Sequence, residues 1–160
     1  MLWKRGTLLA ASLFFVLSAA SACAAEAEAD TEVLLEAIRA NRKALVEVNL
    51  GLSEEQGKKF WPVYDKYQEQ MNVLQDRLVK VIEDYIKSYK TLGDAKAIEL
   101  VTEYLAIEAD RVKVKQESMP AFQAVVPGRT VARFYQIENK MDAVLRFKLA
   151  ETIPVVEQGG

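Results

Sequence analysis

The chain of 160 residues contains no histidine. That removes the commonest general base and the commonest transition-metal ligand. Cys23 is the only cysteine, so no disulfide forms within the chain and the fold stands on packing alone. Proline and glycine are sparse. Gly51, Gly93, Pro120, Pro127-Gly128 and Pro154 divide the chain beyond its first 25 residues into four segments. No run alternates apolar and polar residues as a half-buried strand does. Neither a glycine-rich phosphate loop, a dinucleotide fingerprint nor a nucleophile–base pair is visible, and an enzyme is not expected. Charge of one sign is missing too. Without Lys4 and Arg5 the chain beyond residue 25 holds 19 basic and 23 acidic residues, a net of 19 − 23 = −4. Mixed charge of this size argues against nucleic acid as a partner, which needs a concentrated basic surface.

Long apolar runs are confined to Leu8–Ala20. That run is shorter than the roughly twenty residues of a membrane span. It follows Lys4-Arg5 and precedes Ala20-Ser21-Ala22 and Ala22-Cys23-Ala24, both of small-x-small type. Residues 1–25 therefore read as a secretory signal, leaving 26–160 as one domain with no membrane span after cleavage. A cut directly before Cys23 would make a lipoprotein. The Ala-Ser-Ala before it lacks the leucine usual three residues ahead of a lipidated cysteine, so a soluble exported protein is expected.

What remains is helical. The four segments are rich in Ala, Leu, Glu, Lys and Gln. They predict an all-α fold with helices over about 31–49, 53–91, 95–118 and 129–153. In the first, Leu34, Ile38, Leu45 and Val48 form the apolar stripe. In the second, Phe60, Tyr64, Tyr67, Met71, Leu74, Leu78, Val81 and Tyr85 alternate steps of four and three, a heptad seam. The third carries two stripes, Ile98, Val101, Leu105, Val112 and Leu100, Tyr104, Ile107, Val114. The fourth shows Phe134, Ile137, Met141, Val144 and Leu145. A helix of 53–91 is a rod of roughly 58 Å, against roughly 37 Å for the diameter of a compact domain of this size. An elongated long-helix hairpin is expected, and an exposed seam favours a homodimer.

The local signals concentrate at Leu52-Ser53-Glu54-Glu55-Gln56. Ser53 suits an N-cap and Gln56, three residues on, completes a capping box. Glu54 and Glu55 suit the first turn. A weaker copy aligns Val126, Pro127, Thr130 and Phe134-Tyr135 with Leu52, Ser53, Gln56 and Phe60-Trp61. Pro127 suits a first turn as Ser53 suits a cap. The copy suggests two helices entering by related turns and packing together at one end.

Leu-Thr-x-x-Gln, present twice, marks the periplasmic LTxxQ proteins, and this chain resembles them. The match is good at Leu52, Ser53 and Gln56, with serine for threonine, and looser at Val126, Pro127 and Thr130. Phe60-Trp61-Pro62-Val63-Tyr64 and the stretch from Phe134 to Lys140 also look like an uncharacterised proteobacterial branch. The family includes the Spy- and CpxP-like chaperones of the envelope stress response. The resemblance implies a periplasmic, all-helical, cradle-shaped dimer that binds unfolded or envelope clients without ATP. The alternative is a stress-sensing adaptor that docks on a membrane sensor.

Candidate client-binding residues are Trp61 and Tyr89, off or near the end of the seam, and Arg129, Arg133 and Lys140 on one face of the last helix. Tyr64 and Tyr67 are expected in the core. Glu99, Glu103, Glu108 and Asp110 lack the shaped loop a calcium site needs, so neither metal nor cofactor is expected.

Overall fold

The computed structural model describes residues 40–156. The leader expected at 1–25, Cys23, Leu34 and Ile38 lie outside the described residues. Among the described residues the chain is all-helical and forms no strand. The described part of the first helix, α1, covers 40–50. It stops at Gly51, whose φ of 64° is the left-handed value that glycine takes without a Cβ penalty. Three helices follow: α2 (Glu54–Ser88), α3 (Asp94–Val125) and α4 (Gly128–Thr152).

The capping box forms at α2. The Gln56 backbone N–H donates to Ser53 Oγ at 3.2 Å, and the Ser53 N–H donates to Gln56 Oε1 at 3.0 Å. Pro127 is the N-cap of α4, where the Thr130 and Val131 N–H groups donate to its carbonyl at 2.8 and 3.1 Å.

The boundaries differ from expectation at two ends. α2 gives way to a 3₁₀ turn, Tyr89–Thr91, instead of continuing to 91. α3 does not end at 118 but runs through Pro120. That proline and Gln116, whose carbonyl loses its donor, are both exposed, so water can take the free acceptor. The real stop is Val126, forced to φ −140° and ψ 157° ahead of Pro127.

α2 and α3 pair antiparallel, Phe60 meeting Phe122 at one end and Arg77 meeting Glu103 further along. Phe60, Tyr64 and Tyr67 of α2, Phe122 of α3 and Phe134 of α4 are fully buried together. Val46 and Leu50 of α1 close this aromatic core. Phe60 and Phe134, the equivalent rings of the two aligned motifs, pack edge to face at 5.5 Å between centroids. A smaller aliphatic cluster, Ile82, Ile86, Leu145 and Leu149, holds the other end.

Several stripes are rotated from their expected places. On α2 the seam holds from Phe60 to Leu74 and then passes to Ile82 and Ile86, not Val81 and Tyr85. A straight helix has 3.6 residues per turn and drifts off a strict heptad by about 20° each repeat. On α1, Leu45 and Val48 face solvent, Val48 at 82 % exposure, while Arg42, Val46 and Leu50 turn inward. Arg42 sets this rotation through its carboxylate partners on α4. On α4, Val144 is exposed and Val131, Glu138, Asp142 and Leu149 join Phe134 and Leu145 inside. On α3 the stripe of Leu100 and Ile107 is buried, though Tyr104 is not. Ile98, Val101, Leu105 and Val112 are 66, 54, 59 and 55 % exposed.

Candidate functional site

An ion network crosses the middle of the bundle. Glu138 and Asp142 lie one turn apart on α4, in phase with its apolar residues, so both carboxylates point inward. Arg42 reaches them from α1. Its Nε and Nη2 donate to the two oxygens of Glu138 at 3.2 and 3.0 Å, and Nη2 also donates to Asp142 Oδ1 at 2.7 Å. From α3, Arg111 Nη2 lies 2.9 Å and Lys115 Nζ 3.0 Å from Asp142 Oδ2. From α2, the Tyr67 hydroxyl donates to Glu138 Oε2 at 3.1 Å. All four helices thus meet at two carboxylates.

Electrostatics follow from these partners. Burial pushes the Asp142 carboxyl up, but Arg42 and Arg111, then the Arg42 hydrogen bond and Lys115, outweigh it and hold the pKa at about 2. Burial and the charge of Glu138 push the Tyr67 hydroxyl well above the usual phenol range, so it stays a donor. Burial, then Glu138, raises Tyr135 to about 12. Its hydroxyl donates to the Lys115 carbonyl at 2.7 Å.

Beside this network the bundle is open. α3 and α4 come close at few points, and their far halves leave a groove of about 520 Å³ with α2 as its floor. Leu78, Ile82, Leu100, Leu145 and Leu149 supply apolar walls. Arg111 and Asp142 close one end, and the pair Glu108–Arg146 stands at the rim. At the other end Tyr85 donates to the Pro154 carbonyl at 2.7 Å and pins the segment after α4 near the mouth.

The expected client-binding residues do not form one surface. Trp61 is half-buried against Phe60 and Tyr64, with Lys43 Nζ 5.4 Å above its ring. Tyr89 lies tilted against Tyr85, ring centroids 6.3 Å apart, at the opposite end of α2. Twenty-eight positions of helix separate Trp61 from Tyr89, roughly 42 Å. Arg133 Nε donates to the Asn49 carbonyl at 2.7 Å and so satisfies the end of α1. Arg129 and Lys140 are exposed on α4. Of the motif residues, Leu52 packs against the aromatic core and Thr130 is half-buried. Among the described residues no group of three or more His, Cys, Asp or Glu side chains is arranged to hold a metal.

Sequence reasoning missed Glu138, Asp142, Arg42 and Arg111. One signal was present. Val131, Phe134, Glu138, Asp142, Leu145 and Leu149 follow steps of three and four, which places both acids on the buried stripe.

Fold and site together define an all-α protein with a buried ion network and an open apolar groove. No described helix is long and apolar enough to cross a membrane. No family model, curated protein or solved structure matches the chain.

Proposed function

We propose that this is an exported, ATP-independent chaperone-like protein that binds unfolded or envelope clients in the periplasm. The supporting observation is the apolar stripe of Ile98, Val101, Leu105 and Val112, left facing solvent along α3. Its spacing of three, four and seven keeps it on one helix face. These side chains are already partly covered, so burying the rest yields roughly 3–7 kcal/mol gross. Association costs about 4–15 kcal/mol, so the net is small. The face suits weak, reversible capture. Mixed surface charge speeds encounter without fixing one partner.

A homodimer belongs to this reading. α2 alone spans about 53 Å as a helix of 35 residues. On the outer side of α4, Val144 and Phe147 are 59 and 61 % exposed, a second apolar surface that another copy can cover.

The test is aggregation of a reduced or heat-stressed client. Equimolar wild-type protein suppresses it, and the double variant Ile98→Lys, Leu105→Lys does not. Both sites are exposed, so the variant keeps its helical content by circular dichroism. Absence of suppression at several-fold molar excess of wild type ends the proposal. Light scattering on the same samples reads the dimer, which a monomer at micromolar concentration refutes.

A further inference from the structure

α4 carries five cations and three carboxylates, and the fold sorts them. Glu138 and Asp142 turn inward to Arg42, Arg111 and Lys115. The cations stay outside. Arg146 pairs with Glu108 of α3, and Lys148 with Glu151. Arg129, Arg133 and Lys140 are left, 5 − 2 = 3, with no carboxylate at ion-pair distance among the described residues. We infer that this outer face of α4 docks on an anionic lipid bilayer.

The spacing makes the face. Steps of four, seven and seven carry Arg129, Arg133, Lys140 and Phe147 along one side of the helix. They form a line of roughly 27 Å. Val144 and Phe147 close its end at 59 and 61 % exposure, with Lys148 Nζ 5.7 Å above the Phe147 ring. A basic row ending in an exposed ring suits a helix lying on a membrane, cations at the phosphates and ring at the headgroup boundary.

The charges decide the partner. Each cation near an anionic surface is worth about a factor of five. Phe147, already partly covered, adds about five- to twentyfold on insertion. A second copy over Val144 and Phe147 alone leaves the three cations without counterions. Two copies joined along the whole face set like charges together. The groove opens on another side of α4, through Leu145, Arg146 and Leu149, and gives an acidic protein segment no register on this face. A fluid anionic surface requires none. Beyond residue 25 the chain is acidic as a whole, so the field turns this face to the membrane in preference to others.

Vesicle flotation of the exported form, residues 26–160, tests the assignment. The vesicles are phosphatidylcholine alone, or equal parts phosphatidylcholine and phosphatidylglycerol. Affinity for the anionic vesicles is higher by about a hundredfold, the product of three cations. Raising salt from about 0.1 M to about 1 M removes most of that preference. Arg129→Glu with Lys140→Glu weakens anionic binding by about thirtyfold or more. Lys80→Glu with Lys113→Glu, on α2 and α3, changes net charge equally and shifts affinity by less than about threefold, because distant charges are screened. All four sites are exposed, so helical content is unchanged. Phe147→Trp fluorescence is quenched by bromine-labelled acyl chains, whereas half-buried Trp61 in the wild type is not. Equal affinity for the two vesicle types, or equal losses in the two charge-reversed variants, overturns the assignment. An unquenched Phe147→Trp ring does so too and returns Val144 and Phe147 to a second copy. Soluble polyglutamate that binds as tightly as the vesicles also overturns it, marking the row as a site for an acidic chain. The client stripe lies on α3 and this face on α4, so either reading can fail without the other.

Discussion

At Asp142 two effects of opposite sign compete. Burial favours the neutral acid, and the guanidiniums of Arg42 and Arg111 favour the carboxylate. The cations win, and the pKa falls to about 2. The unfolded chain returns this group to about 3.9. A depressed native pKa stabilises the fold above the unfolded value, and that stability is lost as pH drops from about 4 to about 2. The shift corresponds to about 2–3 kcal/mol. Asp142→Ala goes further, because it leaves Arg42 with Glu138 alone and buried Arg111 with only Glu108, 3.9 Å away. Urea titration at neutral pH should show a loss of about 3–5 kcal/mol. The pH dependence between 4 and 2 should shrink in the variant by the share that Asp142 supplied. A loss below about 1 kcal/mol would show that the network behaves as a solvated surface pair. None of this was read from the sequence, although the phase of Glu138 and Asp142 was there to be seen. Acidic residues are seldom fully buried, so spacing alone does not mark these two as core. Their partner Arg42 lies 96 positions from Glu138 and leaves no local trace.

Among the helices, what is local was legible and what depends on a neighbour was not. The Ser53–Gln56 box involves four consecutive residues and no other element. Ser53→Ala removes one acceptor and should cost about 1 kcal/mol by thermal or urea melting. Gln56→Ala should cost less, since the Ser53 N–H is exposed and water can replace its acceptor. Equal and negligible costs would show that packing of Phe60 alone fixes the start of α2. Proline gave an uneven signal. Pro127 ends α3 by acting on the residue before it, whereas Pro120 sits on the exposed side and leaves the helix running. Heptad spacing located the upper half of the α2 seam, from Phe60 to Leu74. Below that the partner helices chose Ile82 and Ile86, a choice the α2 sequence does not contain. For α3, two apolar stripes were visible, but which one faced inward depended on where α2 and α4 lay.

Across the whole molecule the core is uneven. Five aromatic residues fill the end where α2 and α4 begin and α3 ends, and four aliphatic residues fill the other beside the groove. Local opening follows the density of buried apolar contacts. Amide hydrogen exchange should therefore be faster over 97–106 of α3 than over 110–122. Equal protection along α3 would contradict this. The all-α class followed from composition and the missing strand patterns. The groove did not, because it arises from the separation of α4 from α3, a relation between elements that no single segment encodes. The ion network has a further consequence at this scale. Apolar stripes tolerate sliding, since one leucine replaces another after a turn of about 5.4 Å. Arg42 has no such substitute. Moving α1 by one turn along α4 would carry its guanidinium away from both carboxylates and leave Arg42 and Glu138 buried without an ionic partner. The network therefore acts as a vernier: it fixes how far each helix is pushed along its neighbours, a quantity that greasy contacts alone leave undetermined.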